Sequence, residues 1–165
     1  MSDVTHVVGI DASKNSVLIE KDGLAKKTLA TANIYRASKV WATPGWHRIL
    51  NGHTGGSIGT GIISLNQDFN MSNGGGVIFA FMGSGYVGPN INVLCKVSNP
   101  FSKIRVLTKN ISNTTSLFID VYYNRSNSNG IKCLLSNCPD GVTLTDFADT
   151  IMDIPEGFTA TEFDI

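Results

Sequence analysis

The stretch Lys103–Asn124, KIRVLTKNISNTTSLFIDVYYN, constrains the fold of this chain more than any other. Two alternating runs flank a polar, turn-rich centre at Asn110–Thr115, which is the pattern of a half-buried β-hairpin. Ile104 and Val106 share one parity in the first run, and Leu117, Ile119, Val121 and Tyr123 share one in the second. If Ile104 pairs with Val121, then Val106 meets Ile119 on the same core face. The other face sets Arg105 against Asp120 and Leu107 against Phe118, so it is not purely polar. Each such cross-strand pair stabilises a sheet by about 0.2–1 kcal/mol. A slip of one residue would turn Ile119 and Val121 toward water, so burial selects the register.

From Tyr35 onward, short apolar runs recur at the spacing of a β-sandwich. Strands are expected near His47–Asn51, Gly61–Leu65, Val77–Met82, Ile91–Val97, Lys103–Lys109, Ser116–Tyr123 and Ile131–Leu135, with weaker ones near Lys39–Ala42 and Thr159–Phe163. Asn73-Gly74-Gly75-Gly76 reads as a turn that permits positive φ where side chains would clash. Thr145–Met152 reads as one or two helical turns, capped by Thr145 and stopped by Pro155. Residues 1–35 stand apart. They hold one candidate strand pair, Val7–Ile10 with Ser16–Glu20, and a few helix-capable residues at Leu24–Ala32. Two short strands cannot bury a core alone, so this piece must pack on the remainder or on other copies of itself. The expected fold is therefore all-β: an antiparallel, jelly-roll-like β-sandwich over 36–165 with a short stalk-like segment over 1–35.

Charged residues make up only 16% of the 165, so Asn, Ser, Thr and Gly have to cover the surface, which suits strands and turns. Net charge is zero, leaving no excess of Lys and Arg to release counterions, which argues against nucleic acid as a partner. MSDVTHVVGIDAS lacks the basic start and apolar run of a signal peptide, and no run approaches a membrane span, so no membrane insertion is expected. Cys95, Cys133 and Cys138 read as buried reduced thiols, a disulfide or metal site being the alternative.

Several constellations invite a chemical reading. Trp41 and Trp46 bracket WATPGWHRIL; such a pair either closes one end of a core or stacks on sugar rings. His47 and His53 have no carboxylate beside them in sequence, so metal ligation is not expected. The glycine runs lack the Gly-Lys-Ser/Thr of a phosphate loop, and no Gly-x-Ser-x-Gly elbow occurs. Past Lys132 there is no Lys or Arg, while Asp140, Asp146, Asp149, Asp153, Glu156, Glu162 and Asp164 follow. That stretch lacks the alternate ligands and glycine turn of a calcium loop and reads as a solvated face, or one paired with Lys26, Lys27, Arg36 and Lys39. No cofactor, metal or catalytic residue is expected. The loop residues His53, Tyr86, Asn90, Arg125 and Asn127 are the ligand-binding candidates.

Gly9-Ile10-Asp11 with Asn15–Ile19, Tyr35-Arg36, Thr43–Leu50, Ile154–Phe158 and Thr161–Phe163 together resemble carboxy-terminal pieces of phage or prophage tail-fibre proteins, those of gut Bacteroidales above all. The Gly-Trp-aromatic-Arg-Ile element at Gly45–Ile49 is similar to one in tail-fibre receptor-binding heads. The resemblance implies a homotrimeric fibre tip of the virion, joined partly through residues 1–35, whose head touches a glycan or protein on the host surface. The function it implies is receptor binding without catalysis. A polysaccharide depolymerase or esterase tip, or a purely architectural segment, is the alternative. A missing signal peptide agrees with a virion protein released by lysis.

Overall fold

The computed structural model describes residues 6–10, 16–20, 34–41, 43–55, 60–67, 74–83, 88–98, 100–111, 114–125, 130–137, 143–144 and 153–165. The chain divides into two compact units, Met1–Ile34 and Tyr35–Ile165. In the first, β1 (His6–Ile10) pairs antiparallel with β2 (Ser16–Glu20), His6 opposite Glu20 and Ile10 opposite Ser16.

The second unit is a sandwich of two five-stranded sheets. One has the order β3 (Ile34–Val40), β10 (Gly130–Ser136), β5 (Thr60–Gln67), β6 (Gly75–Met82), β7 (Asn90–Val97). The other has the order β11 (Thr143–Leu144), β4 (Gly45–Gly55), β9 (Thr114–Tyr123), β8 (Phe101–Ile111), β12 (Thr159–Asp164). We refer to them as the β5 and β8 sheets. β3 lies beside β10 in one sheet and β4 beside β9 in the other, the nested pairing of a jelly roll. β5–β6–β7 form a meander in the first sheet, and β8–β9 form a hairpin in the second. The expected all-β antiparallel sandwich is the architecture observed.

Alternation of side chains builds the core. Ile63 and Leu65 of β5, Val77, Phe79 and Phe81 of β6, and Ile131, Cys133 and Leu135 of β10 all point inward. They meet Ile104 and Val106 of β8 and Leu117, Ile119, Val121 and Tyr123 of β9. Burial of each large side chain stabilises by about 1.5–3 kcal/mol. The hairpin has the expected register: Ile104 faces Val121, Arg105 faces Asp120, Val106 faces Ile119 and Leu107 faces Phe118. Its connection is tighter than expected, since β8 runs to Ile111 and β9 begins at Thr114.

Other expectations need correction. The weak strand placed at Lys39–Ala42 is β3, which starts at Ile34 and ends before Trp41. β4 continues to Gly55, so His53 lies in a strand and not in a loop. β11 carried no sequence signal, because two residues hold no period. Cys133 is buried as expected, but Cys95 is exposed; both are free thiols. Gly75 and Gly76 are not a positive-φ turn. They open β6, where a Cβ on Gly75 would collide with the Val97 and Ser98 carbonyl oxygens and one on Gly76 with Asn66. The helical turns expected at Thr145–Met152, the helix-capable residues Leu24–Ala32, and Cys138 lie outside the described residues.

Candidate functional site

The outer face of the β8 sheet is organised around Asp120. Arg48, Asp120, Arg105 and Glu162 stand side by side on β4, β9, β8 and β12. In the next row, Trp46 faces Tyr122 and Lys103 faces Asp164, with Tyr122 and Lys103 also paired. Local sequence explains the placement. In Trp46-His47-Arg48, alternation sends the tryptophan and arginine outward and His47 into the core. A bulge between Arg48 and Leu50 then allows both Ile49 and Leu50 to be buried.

Asp120 is fully buried although it lies on an outer face. The Arg48 Nε donates to Oδ1 at 2.9 Å and its Nη2 to Oδ2 at 3.4 Å, while the Arg105 Nε donates to Oδ2 at 2.8 Å. Charge-assisted bonds of this kind are what make a buried carboxylate tolerable. Each guanidinium also lies on an aromatic ring: Arg105 sits 4.5 Å from the Trp46 ring centre and Arg48 sits 4.2 Å from that of Phe118. Such contacts contribute about 0.5–2 kcal/mol each. The ladder continues at both ends. Trp46 meets Tyr122 edge-on at 5.3 Å, and Phe118 meets Phe158 at 4.8 Å. Phe158 reaches that place because Gly157, at φ 79°, closes a turn in which the Phe158 N–H donates to the Pro155 carbonyl. Lys109 donates to the Glu156 carbonyl at 3.1 Å and lies 5.7 Å from the Phe158 ring centre.

One end of this face is open. Trp46 and Tyr122 are both partly exposed. Across the sheet from them, Lys103 reaches Glu162 at 3.4 Å and Asp164 at 3.8 Å, and both carboxylates remain in water. Ser102 Oγ donates to Asn124 Oδ1 at 2.7 Å nearby. The arrangement is an indole fixed in orientation by the guanidinium on its ring, with an ammonium, two carboxylates and uncharged polar groups within a few strand spacings. An aromatic face takes the C–H side of a sugar ring, and such polar groups take its hydroxyls.

The two tryptophans expected to act together are separated. Trp41 is fully buried and closes the core, as one of the two readings held. His47 stacks on it at 4.1 Å and 11°, and the His47 Nε2–H donates to the Thr43 carbonyl at 3.0 Å. Tyr123 packs against both rings and accepts a 2.8 Å bond from Gln67 Nε2. Burial pushes the Tyr123 phenol above its ordinary value, against the opposing pull of Arg125 and of the Gln67 bond. Trp46 does not take part in this cluster.

The five candidate residues are not brought together by the described structure. His53 is in β4 with its side chain outside the described residues, as are Tyr86 and Asn127. Asn90 begins β7, exposed and opposite Met82. Arg125 follows β9 and donates through Nη2 to the Ser98 carbonyl at 3.3 Å, tying two connections together. Arg48, Trp46 and Tyr122 carry the site instead. Their shared parity in GWHRIL and IDVYY was visible, but the β4–β9 pairing that aligns them spans 72 residues between Arg48 and Asp120. Among the described residues no group of three His, Cys, Asp or Glu could hold a metal. No protein-family model, curated protein or solved structure matches the chain.

Proposed function

We propose that this chain is a non-enzymatic receptor-binding module that recognises host surface glycan through the Trp46–Tyr122 end of the β8 sheet. The observation that carries the reading is the partly exposed indole of Trp46, held by Arg105 and bordered by Tyr122, Lys103, Glu162 and Asp164. Oriented aromatic platforms on rigid strands suit a weak site, and weak sites become effective when copies are joined. The resemblance to phage and prophage tail fibres supports placing the module at a virion's fibre tip, as a homotrimer joined partly by residues 1–35.

Glu162 and Asp164 share a face two residues apart, which keeps a depolymerase reading in the test. Both are engaged by the same Lys103, an arrangement that suits hydroxyl binding better than the division of labour between a glycosidase acid and its partner. The protein is incubated with capsular polysaccharides from candidate hosts, and both retention and reducing-end release are measured. Retention without release is the expected result. Release of reducing ends contradicts the reading in favour of an enzyme; neither retention nor release favours an architectural segment.

A further inference from the structure

The Arg48–Asp120–Arg105 triad lies on a face where the fold does not demand charge. One row along the same strands, Asn51, Phe118, Leu107 and Ala160 stand side by side, and Leu107 is fully buried. Apolar packing therefore fills this outer layer too. Replacing a buried ion triad with well-packed apolar side chains is often neutral or stabilising, so cohesion alone gives little reason for one. What the triad supplies, and an apolar cluster would not, is a guanidinium fixed in direction. Arg105 is pinned at two points: its Nε donates to Asp120 Oδ2 at 2.8 Å, and its guanidinium carbon lies 4.5 Å from the Trp46 ring centre. Asp120 is pinned in turn. The Arg48 Nε donates to its Oδ1 at 2.9 Å, and Arg48 rests on the Phe118 ring at 4.2 Å. All three side chains are nearly out of water, which strengthens their bonds.

We infer that Asp120, which no ligand in solution can reach, is a positioning residue of the glycan site. It acts through Arg105 on the indole of Trp46. The inference rests on the reading that Trp46 is the platform. Trp46 is partly exposed, and the contacts that hold its ring are Arg105 and, edge-on at 5.3 Å, Tyr122. Loosening Asp120 frees Arg105 to leave the ring, and the indole must then be immobilised when glycan binds. Pre-ordering one such side chain is worth about a twofold to tenfold change in affinity.

The test uses the full chain and three variants. Asp120→Asn keeps the shape of the side chain and removes its charge. Arg105→Lys keeps a cation against Asp120 but has no plane to lay on the indole, so the proposal stays falsifiable if Asp120→Asn fails to fold. Ile119→Ala weakens the same strand from its core side. Circular dichroism checks folding. Affinity for a capsular polysaccharide retained by the parent protein is measured by calorimetry. Acrylamide quenching of fluorescence is measured without ligand, and it reports Trp46 because Trp41, the other tryptophan, is fully buried. The expected result is at least about a threefold loss of affinity together with stronger quenching in Asp120→Asn and Arg105→Lys, and neither change in Ile119→Ala. A folded Asp120→Asn or Arg105→Lys protein in which only one readout moves, or neither, overturns the inference, as does an Ile119→Ala protein that moves both. In each of those cases Trp46 stands as the platform provided that Trp46→Ala loses affinity. If Trp46→Ala binds like the parent, or no polysaccharide is retained, that reading falls and the inference falls with it.

Discussion

Asp120 has no contact with bulk water, yet its charge is balanced by two guanidiniums within 2.9 Å. Removing the carboxylate leaves both cations in a desolvated layer with one acceptor gone. Asp120→Ala is therefore expected to cost about 3–5 kcal/mol, read from the urea midpoint at unchanged slope. The Arg105–Asp120 half of this triad follows from hairpin parity. The Arg48 half does not, because nothing local to Arg48 announces a partner so far along the chain. Two buried acids set the alkaline limit. Burial raises the Cys133 thiol far above its ordinary value and raises the Tyr123 phenol as well. The folded chain keeps protons that the unfolded chain releases, so stability falls as pH rises. The fall begins near the unfolded thiol value of about 8.5 and deepens past the unfolded phenol value of about 10. Melting temperature measured across that range should show both steps, and Cys133→Ala should remove the first.

The β8–β9 hairpin is the element where sequence and structure agree most fully. Ile104, Val106, Ile119 and Val121 are all buried, so truncating Ile119 to Ala should cost about 2–5 kcal/mol in a denaturant titration. Its register was legible because alternation is a local signal and a one-residue slip reverses both faces. β4 shows where legibility ends. The strand itself was visible, but the bulge at Ile49 and the extension to Gly55 depend on β9, which pairs with it from far along the chain. The Trp41–Trp46 pair fails to act as a unit for a related reason. β3 ends just before Trp41 and β4 begins at Gly45, so the two rings enter different layers. Arg105, expected only to face Asp120, also braces Trp46, and that contact needed three strands in place.

At the scale of the whole molecule, the two sheets of the sandwich differ in the charges they carry. A low charged fraction predicted an uncharged polar surface, but composition has no direction. It could not tell that the described carboxylates on the sandwich strands, Asp120, Glu162 and Asp164, all lie on the β8 sheet, while the β5 sheet carries Lys39, Lys96 and Lys132. The loop candidates came from a premise that ligands meet loops; the described geometry concentrates oriented aromatic and polar groups on strands. The central claim is that Trp46 is the platform for glycan, and affinity measured on one variant tests it most directly. A polysaccharide retained by the parent protein is titrated calorimetrically into Trp46→Ala, with the urea midpoint recorded for both proteins. The expected result is at least about a tenfold loss of affinity, some 1.4 kcal/mol, in a variant that still unfolds cooperatively. Unchanged affinity in a folded Trp46→Ala protein would contradict it.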